Sequence, residues 1–293
     1  MPRLVVTGAG GQVGTELVRL TPPQGWEIAG FTRAEADIAD PTAIARLVEG
    51  ADVLVNAAAY TAVDKAEEER EAAYRVNATA PGLLAESCAA RGIPLIHIST
   101  DYVFDGSKTG AYLPDDPVAP LGVYGASKEE GERLVRAALP QHIILRTSWV
   151  YAAHGRNFVK TMLRLGAERD SLRVVADQHG APTAAGDIAA AILAIAEKLL
   201  AGSTAYGTYH YSAAGLTTWH GLAEAIFELS EPYLGKHPSV EPIPTSAYPT
   251  PARRPVNSAL DCSNTMATFA PPRRDWSAAL ADVLAEIRAT ANL

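Results

Sequence analysis

Residues 3–14 read RLVVTGAGGQVG: a short β-branched run, then Gly8, Gly11 and Gly14 three apart, then the start of a helical period. A strand that passes through such a turn straight into a helix has few folds open to it. The turn needs a residue free to take positive φ, the backbone must come close to a pyrophosphate, and the helix must pack tightly on the sheet. The helix N-terminus then offers free N–H groups and the positive end of its dipole to phosphates. The competing reading is a glycine-rich turn with a purely structural job. In a strand–turn–helix setting the motif predicts a dinucleotide site instead, with Gly8, Gly11, Gln12 and Val13 at the phosphates.

The chain beyond that turn keeps alternating. WEIAGF (26–31), DVLVNAAA (52–59), PLIHIST (94–100) and HIILRTS (142–148) read as strands, and their nearly unbroken apolar runs suit a sheet covered on both faces. Helical spacing appears at 12–21, 41–50, 69–92 (with a break expected near Pro81 and Gly82) and 124–139. Together these predict an α/β fold, a Rossmann-type doubly wound parallel sheet. Past residue 149 the rhythm loosens into a helix (157–169), a strand (172–178), an Ala-rich helix (187–202), a short strand (207–213) and a helix (217–230). The segment 238–256 holds six of the chain's 20 prolines, which predicts an ordered loop without regular structure. The expected division is 1–148 plus 173–214 for an NAD(P)-binding domain and 149–172 plus 215–293 for a smaller C-terminal substrate-binding domain.

A net charge of −8 argues against nucleic acid as a partner of the whole surface and leaves room for an anionic ligand only at local positive groups. No apolar run is long enough for a bilayer, and MPRLVVTGAG enters a strand-like run with no cleavable signal pattern, so the expectation is a cytoplasmic protein with no membrane partner. Cys88 and Cys262 are the only cysteines and form no cluster with histidines, so neither a disulfide framework nor a zinc site is expected.

Two further features suggest chemistry. VYGASKEEGE (123–132) places Tyr124 and Lys128 one helical turn apart, either as a proton-transfer pair or as an aromatic and a charge sharing a face. The strand before it ends in Thr100, at the edge of an open α/β sheet where ligands bind. Reducing a ketone puts negative charge on its oxygen, so a general acid must supply a proton. A free phenol titrates near pH 10, and an adjacent ammonium is expected to pull Tyr124 down from there. The second strand ends GFTRAEAD, with Thr32 and Arg33 where NAD sites carry an acid; Arg33 suits a 2′-phosphate, so NADPH is the expected cofactor, with NADH as the alternative.

In this order, the G-x-x-G-x-x-G turn, the strand-end Thr100 and Tyr124-x-x-x-Lys128 resemble the extended branch of the short-chain dehydrogenase/reductase superfamily. The resemblance implies that Asp37 and Ile38 meet the adenine, that Ala57, Ala58 and Ala59 pass along the cofactor, and that Ser99, Tyr124 and Lys128 also border it. A narrower likeness runs from end to end through VNAAAYTAVDKAE (55–67), STDYVFDG (99–106), YGASK (124–128), RTSWVY (146–151), NFVKTMLRL (157–165), DQHGAPT (177–183), TTWHG (217–221) and YPTPARRPVNS (248–258). These stretches resemble the dTDP-4-dehydrorhamnose reductase family, which reduces the 4-keto group of a dTDP-6-deoxy-hexulose with NAD(P)H to give dTDP-L-rhamnose. Carried over by position, Tyr124 is the proton donor, Lys128 its electrostatic partner and Thr100 the orienting hydroxyl. Asp101, Tyr102 and Trp149 line the sugar pocket, Trp149 reading equally well as core. Asn157, Lys160, Arg253 and Arg254 face the nucleotide diphosphate of the dTDP-sugar; two adjacent guanidinium groups in a proline-stiffened loop suit bidentate phosphate contacts.

Some members of that family dimerise through a magnesium ion held by clustered carboxylates. APTAAGDIAAAIL offers only Asp187, with Glu16 on the first helix, so no metal is expected and a homodimer is left open. Related dehydratases carry Asp-Glu where this chain has Asp101-Tyr102, which counts against dehydration. A 4-epimerase, which shares the Tyr and Lys, and a non-catalytic subunit such as the one resembling this reductase in methionine adenosyltransferase complexes remain as alternatives.

Overall fold

The computed structural model describes residues 1–291. The first half runs β1 (Arg3–Thr7), α1 (Gln12–Arg19), β2 (Glu27–Phe31), α2 (Pro41–Leu47), β3 (Val53–Asn56), α3 (Val63–Ala66), α4 (Arg70–Tyr74), α5 (Ala80–Ala89), β4 (Leu95–Thr100), α6 (Val123–Ala138) and β5 (His142–Thr147). The second half adds β6 (Val150–Tyr151), α7 (Phe158–Glu168), β7 (Ser171–Val175), β8 (His179–Gly180), β9 (Thr183–Ala184), α8 (Ala185–Leu200), β10 (Gly207–His210), β11 (Thr217–Thr218), α9 (Trp219–Leu234), β12 (Ser239–Ile243), α10 (Ser263–Phe269) and α11 (Trp276–Ala291).

The large sheet has the order β10-β5-β4-β3-β1-β2, and every pairing in it is parallel. Alternate side chains of each strand enter opposite cores, as the pleat requires. Leu4, Val6, Val53, Val55 and Ile143 pack beneath α1 and the Ala-rich α8, whereas Val5, Leu54, Leu95 and Ile144 pack beneath α2, α5 and α6. Each fully buried Val, Leu or Ile among these contributes roughly 1.5–3 kcal/mol. The strand order reverses between β1 and β3, so the crevice at their carboxyl ends is where such a sheet binds ligands. The parallel sheet covered on both faces is the expected one.

Three local expectations are corrected. Residues 69–92 do not break at Pro81. A π-helical turn over Arg75–Thr79 links α4 to α5, and Pro81 follows it directly in the first turn of α5, so the helical backbone runs through without a break. The strand expected over 172–178 does not join the large sheet. It is β7, which pairs in parallel with β12, and Leu172 and Val174 enter a second core with Leu222, Phe227 and Leu280 from α9 and α11. Residues 173–175 therefore stand with the smaller lobe. The proline-rich segment is not free of regular structure either, because β12 lies within it. Pro242 is tolerated there because, among the described residues, β12 pairs only with β7 and needs no donors on its other edge.

Candidate active site

The carboxyl ends of β1, β3, β4 and β5 open onto one cleft of about 840 Å³, within the range of small-molecule sites. The glycine turn forms one wall. Gly8 has φ +71°, and a Cβ there would lie 2.6 Å from the Ala58 nitrogen, so the turn and the Ala57–Ala59 loop touch backbone to backbone. A Cβ at Gly14 would come within 2.2 Å of the Gly8 carbonyl oxygen. Gly14→Ala is expected to cost about 1–3 kcal/mol of stability and to weaken dinucleotide binding, read by the urea midpoint and a fluorescence titration; an unchanged midpoint would contradict the packing. This cradle, which any side chain would fill, fits a dinucleotide pyrophosphate.

Gln12 and Val13 line the same wall, as do Arg33, Asp37 and Ile38 at its far end. The Arg33 side chain is 75% exposed, and among the described residues its one ion pair is with Asp37, at 3.5 Å, so its guanidinium is available to an incoming phosphate. Ser99 borders the cleft, but its hydroxyl donates at 2.6 Å to the buried carboxylate of Glu132.

The opposite wall carries the reactive groups. Thr100 Oγ1 accepts from the Tyr102 N–H at 3.2 Å, capping a 3-10 turn over Asp101–Val103, and donates to Asp101 Oδ1 at 3.0 Å. α6 then comes close because Gly125 lacks a Cβ, which would stand 2.1 Å from the Tyr102 carbonyl oxygen. That approach brings Tyr124 into the cleft with its ring edge-on to Tyr102 at 5.4 Å, and Lys128 one turn deeper. Lys128 Nζ donates to the Ile98 carbonyl at 2.7 Å.

Electrostatics overturn one expectation. The Tyr124 phenol is not made more acidic: burial pushes it up to about 12, Asp101 adds to the rise, and only Thr100 works against it. Lys128 carries the opposite shift, pulled down to about 8 by burial against the attraction of Glu132. Burial also lifts Asp101 to about 6, and its Oδ2 has no hydrogen-bond partner among the described residues.

Trp149 meets both of its readings. It lines the cleft, and its ring stacks on Trp219 at 3.7 Å and packs on the second core. Its φ of +49° is strained backbone of the kind found at ligand clamps. The four residues expected at the diphosphate lie outside the cleft lining. Asn157 is committed elsewhere: its Oδ1 accepts from the Lys160 N–H at 3.0 Å as the cap of α7, and its Nδ2 donates to Gln12 Oε1 at 2.9 Å. Arg254 pairs with Asp64 at 2.8 Å and sits close enough to Tyr102 to influence it, while Arg253 stays exposed and Lys160 half-buried.

Sequence reasoning missed Arg156, an exposed cation on the cleft wall beside the glycine turn. Its only sequence signal is a basic residue just before the α7 cap. It also missed a buried ion cluster behind the site. Glu132 accepts from Arg146 Nε at 2.9 Å, Arg146 Nη2 at 2.7 Å and Arg136 Nη1 at 3.0 Å, tying α6 to β5. The carboxylates weighed for magnesium are engaged, Glu16 with His154 at 2.7 Å and Asp187 with Arg274 at 2.9 Å. No three His, Cys, Asp or Glu side chains gather as a metal site among the described residues.

Residues 2–289 match the family model of the RmlD substrate binding domain. A dTDP-4-dehydrorhamnose reductase of Aggregatibacter actinomycetemcomitans is 45% identical over 291 residues, covering 97% of this chain and 99% of the relative. The structure of a dTDP-4-dehydrorhamnose reductase from Clostridium acetobutylicum superposes with a TM-score of 0.90 at 35% identity, over 98% of this chain and 99% of that one. That of the Bacillus anthracis enzyme in complex with NADP gives 0.88 at 35% identity, over 98% and 100%.

Proposed function

The chain belongs to the dTDP-4-dehydrorhamnose reductase family, and on that premise we propose that it reduces the 4-keto group of dTDP-4-dehydro-6-deoxy-L-mannose with NADPH to give dTDP-L-rhamnose. The observation that carries this reading is that Thr100, Tyr124 and Lys128 share one cleft with the glycine turn and Arg33. Gly8, Gly11, Gln12 and the start of α1 would hold the pyrophosphate, Arg33 the 2′-phosphate, Asp37 and Ile38 the adenine, and Ala57–Ala59 the adjoining ribose and phosphates. When bound, NADPH supplies the hydride.

Tyr124 delivers the proton. A phenol held up near 12 stays protonated through neutral pH, so the acid is loaded when the ketone arrives. Charge developing on the substrate oxygen makes it a stronger base than a phenolate, which draws the proton across. Thr100 turns its hydroxyl from Asp101 Oδ1 to donate to that oxygen, keeping it in line with Tyr124. The Lys128 ammonium favours the phenolate left behind. Asp101, Tyr102 and Trp149 hold the sugar. Arg253, Arg254 and Lys160 take the diphosphate from outside the cleft wall, Arg254 exchanging its bond to Asp64 for one to phosphate. Asn157 acts through Gln12 as a positioning residue.

With Lys128 near 8, its ammonium form is present below that value and lost as pH rises through it. We expect kcat/KM to fall above about pH 8; a profile flat to pH 10 would contradict the role. Arg33→Ala is expected to raise the Kd for NADPH about 10–100-fold, the loss of one charge-assisted phosphate contact, and that for NADH less than about twofold. Equal losses in paired titrations would remove the 2′-phosphate assignment. The reaction itself is tested by mixing enzyme, NADPH and the dTDP-4-keto-6-deoxy sugar. One NADPH consumed per sugar supports a reductase, and turnover without net NADPH loss means an epimerase. No helix among the described residues is long and apolar enough to cross a membrane; the cytoplasm is the proposed compartment, and a homodimer is the assembly to test by light scattering.

A further inference from the structure

Beneath the cleft, a line of buried polar side chains crosses the sheet to Lys128, and the proton transfer described above uses only its last member. Thr7, Asn56 and His97 are register partners on β1, β3 and β4. Neighbours in register leave the sheet on the same face, here the face beneath α6. All three are fully buried, and Lys128 is 2% exposed. Thr7 Oγ1 donates to Asn56 Oδ1 at 2.7 Å, Asn56 Nδ2 stands 3.0 Å from His97 Nδ1, and His97 Nε2 stands 3.4 Å from Lys128 Nζ.

The backbone fixes the direction of this line. The Ala58 N–H can only donate, and it meets Asn56 Oδ1 at 3.2 Å. The amide oxygen of Asn56 therefore lies on the Ala58 side and its NH2 on the His97 side. An NH2 group only donates, so His97 Nδ1 accepts and carries no proton. Burial and the nearby Lys128 hold the ring neutral, far below the usual histidine range. A neutral imidazole has one N–H, which must then be at Nε2, facing Lys128. An ammonium would meet that N–H with another N–H, whereas a neutral amine can accept it. Ile98 O takes a hydrogen from Nζ in either state. The opposing group is Glu132, one turn further along α6, whose charge is shared among Arg146, Arg136 and Ser99. Tyr124, one turn back, is uncharged at neutral pH, and His142 of β5 acts on the His97 ring.

We propose that Asn56 and His97 form a tautomer relay that holds an N–H donor against the Lys128 amine and so sets the balance between its ammonium and amine forms. Both are positioning residues for the reduction. No proton passes along the relay; the Asn56 amide only fixes which ring nitrogen bears one. The inference rests on Lys128 taking part in catalysis, which Lys128→Met tests separately: unimpaired turnover would overturn that role, whatever the tautomer of His97.

The experiment starts with the wild-type full chain labelled with 15N-histidine. A long-range 1H–15N spectrum at neutral pH is expected to show His97 with its proton on Nε2 and a bare Nδ1. A proton on Nδ1, alone or in an imidazolium, overturns the relay. Asn56→Asp replaces the NH2 by an accepting oxygen. The ring should then be protonated at Nδ1, and the alkaline limb of kcat/KM should move up by roughly one pH unit. His97→Met adds no charge and offers Lys128 no N–H, so it separates the relay from the new carboxylate; its limb also moves up. A limb that stays in place in His97→Met overturns the proposal even if the carboxylate variant shifts it, because a purely structural role lowers the rate at every pH without moving the limb. The wild-type spectrum needs no variant, so the relay stays testable should the buried carboxylate prevent folding.

Discussion

Tyr124→Phe lowers kcat about 10²–10⁴-fold, the usual worth of a positioned general acid, while stability and NADPH affinity stay near wild type. The change removes one oxygen from a half-buried ring at the cleft wall. The ring's edge contact with Tyr102 at 5.4 Å does not involve the hydroxyl, so packing survives. What is lost is the proton that this phenol, still protonated at neutral pH and beside Thr100, presents to the cleft. Steady-state NADPH oxidation with the keto-sugar and an NADPH titration measure the two halves of this statement. A variant within tenfold of wild-type turnover would take Tyr124 out of the acid role. Thr100→Val is the weaker companion, since water can replace an orienting hydroxyl more readily than an acid.

The second large effect is on stability. Glu132→Ala removes a carboxylate that is fully buried and leaves Arg146, 3% exposed, without its charge partner. Stranding a buried guanidinium costs about 3–5 kcal/mol, far more than any surface pair of this chain contributes. The loss reaches the site as well, because the same carboxylate accepts from Ser99, next to Thr100, and sits one turn from Lys128. Burial alone would push the Glu132 carboxyl up, but the Arg146 guanidinium outweighs it and holds the group below its usual value. A depressed folded value means that this stability is present above the ordinary carboxylate range and is lost as pH falls through the folded value. Urea unfolding should therefore show a lower midpoint for the variant at pH 7, and a gap from wild type that narrows in acid. An unchanged midpoint at pH 7 would contradict the account of the cluster.

Much of the fold is legible in the sequence because strand and helix periods alternate without interruption to residue 148. The glycine turn is legible for a physical reason: only backbone fits between Gly8 and Ala58, so the residue type reports the contact. Where reading fails, the deciding fact is a partner distant in sequence. β12 forms despite Pro242 because β7 supplies the other ladder, and no local pattern announces that pairing. Thr7, Asn56 and His97 are 49 and 41 residues apart and meet only through strand register. The chemistry of Tyr124 divides in the same way. Its spacing from Lys128 shows a neighbour, but the sign of its shift is decided by burial, which spacing does not encode. Asn157 and Arg254, read as ligand contacts from position, hold Gln12 and Asp64, bonds that only the folded chain reveals.

The most direct test of the central claim is to follow a label. With NADPH carrying deuterium at the transferable position, this protein should convert the dTDP-4-keto-6-deoxy sugar to a dTDP-deoxyhexose with one deuterium at C4, one NADPH being consumed for each product molecule. A product without deuterium at C4, or no product from a folded protein that binds both ligands, would contradict it.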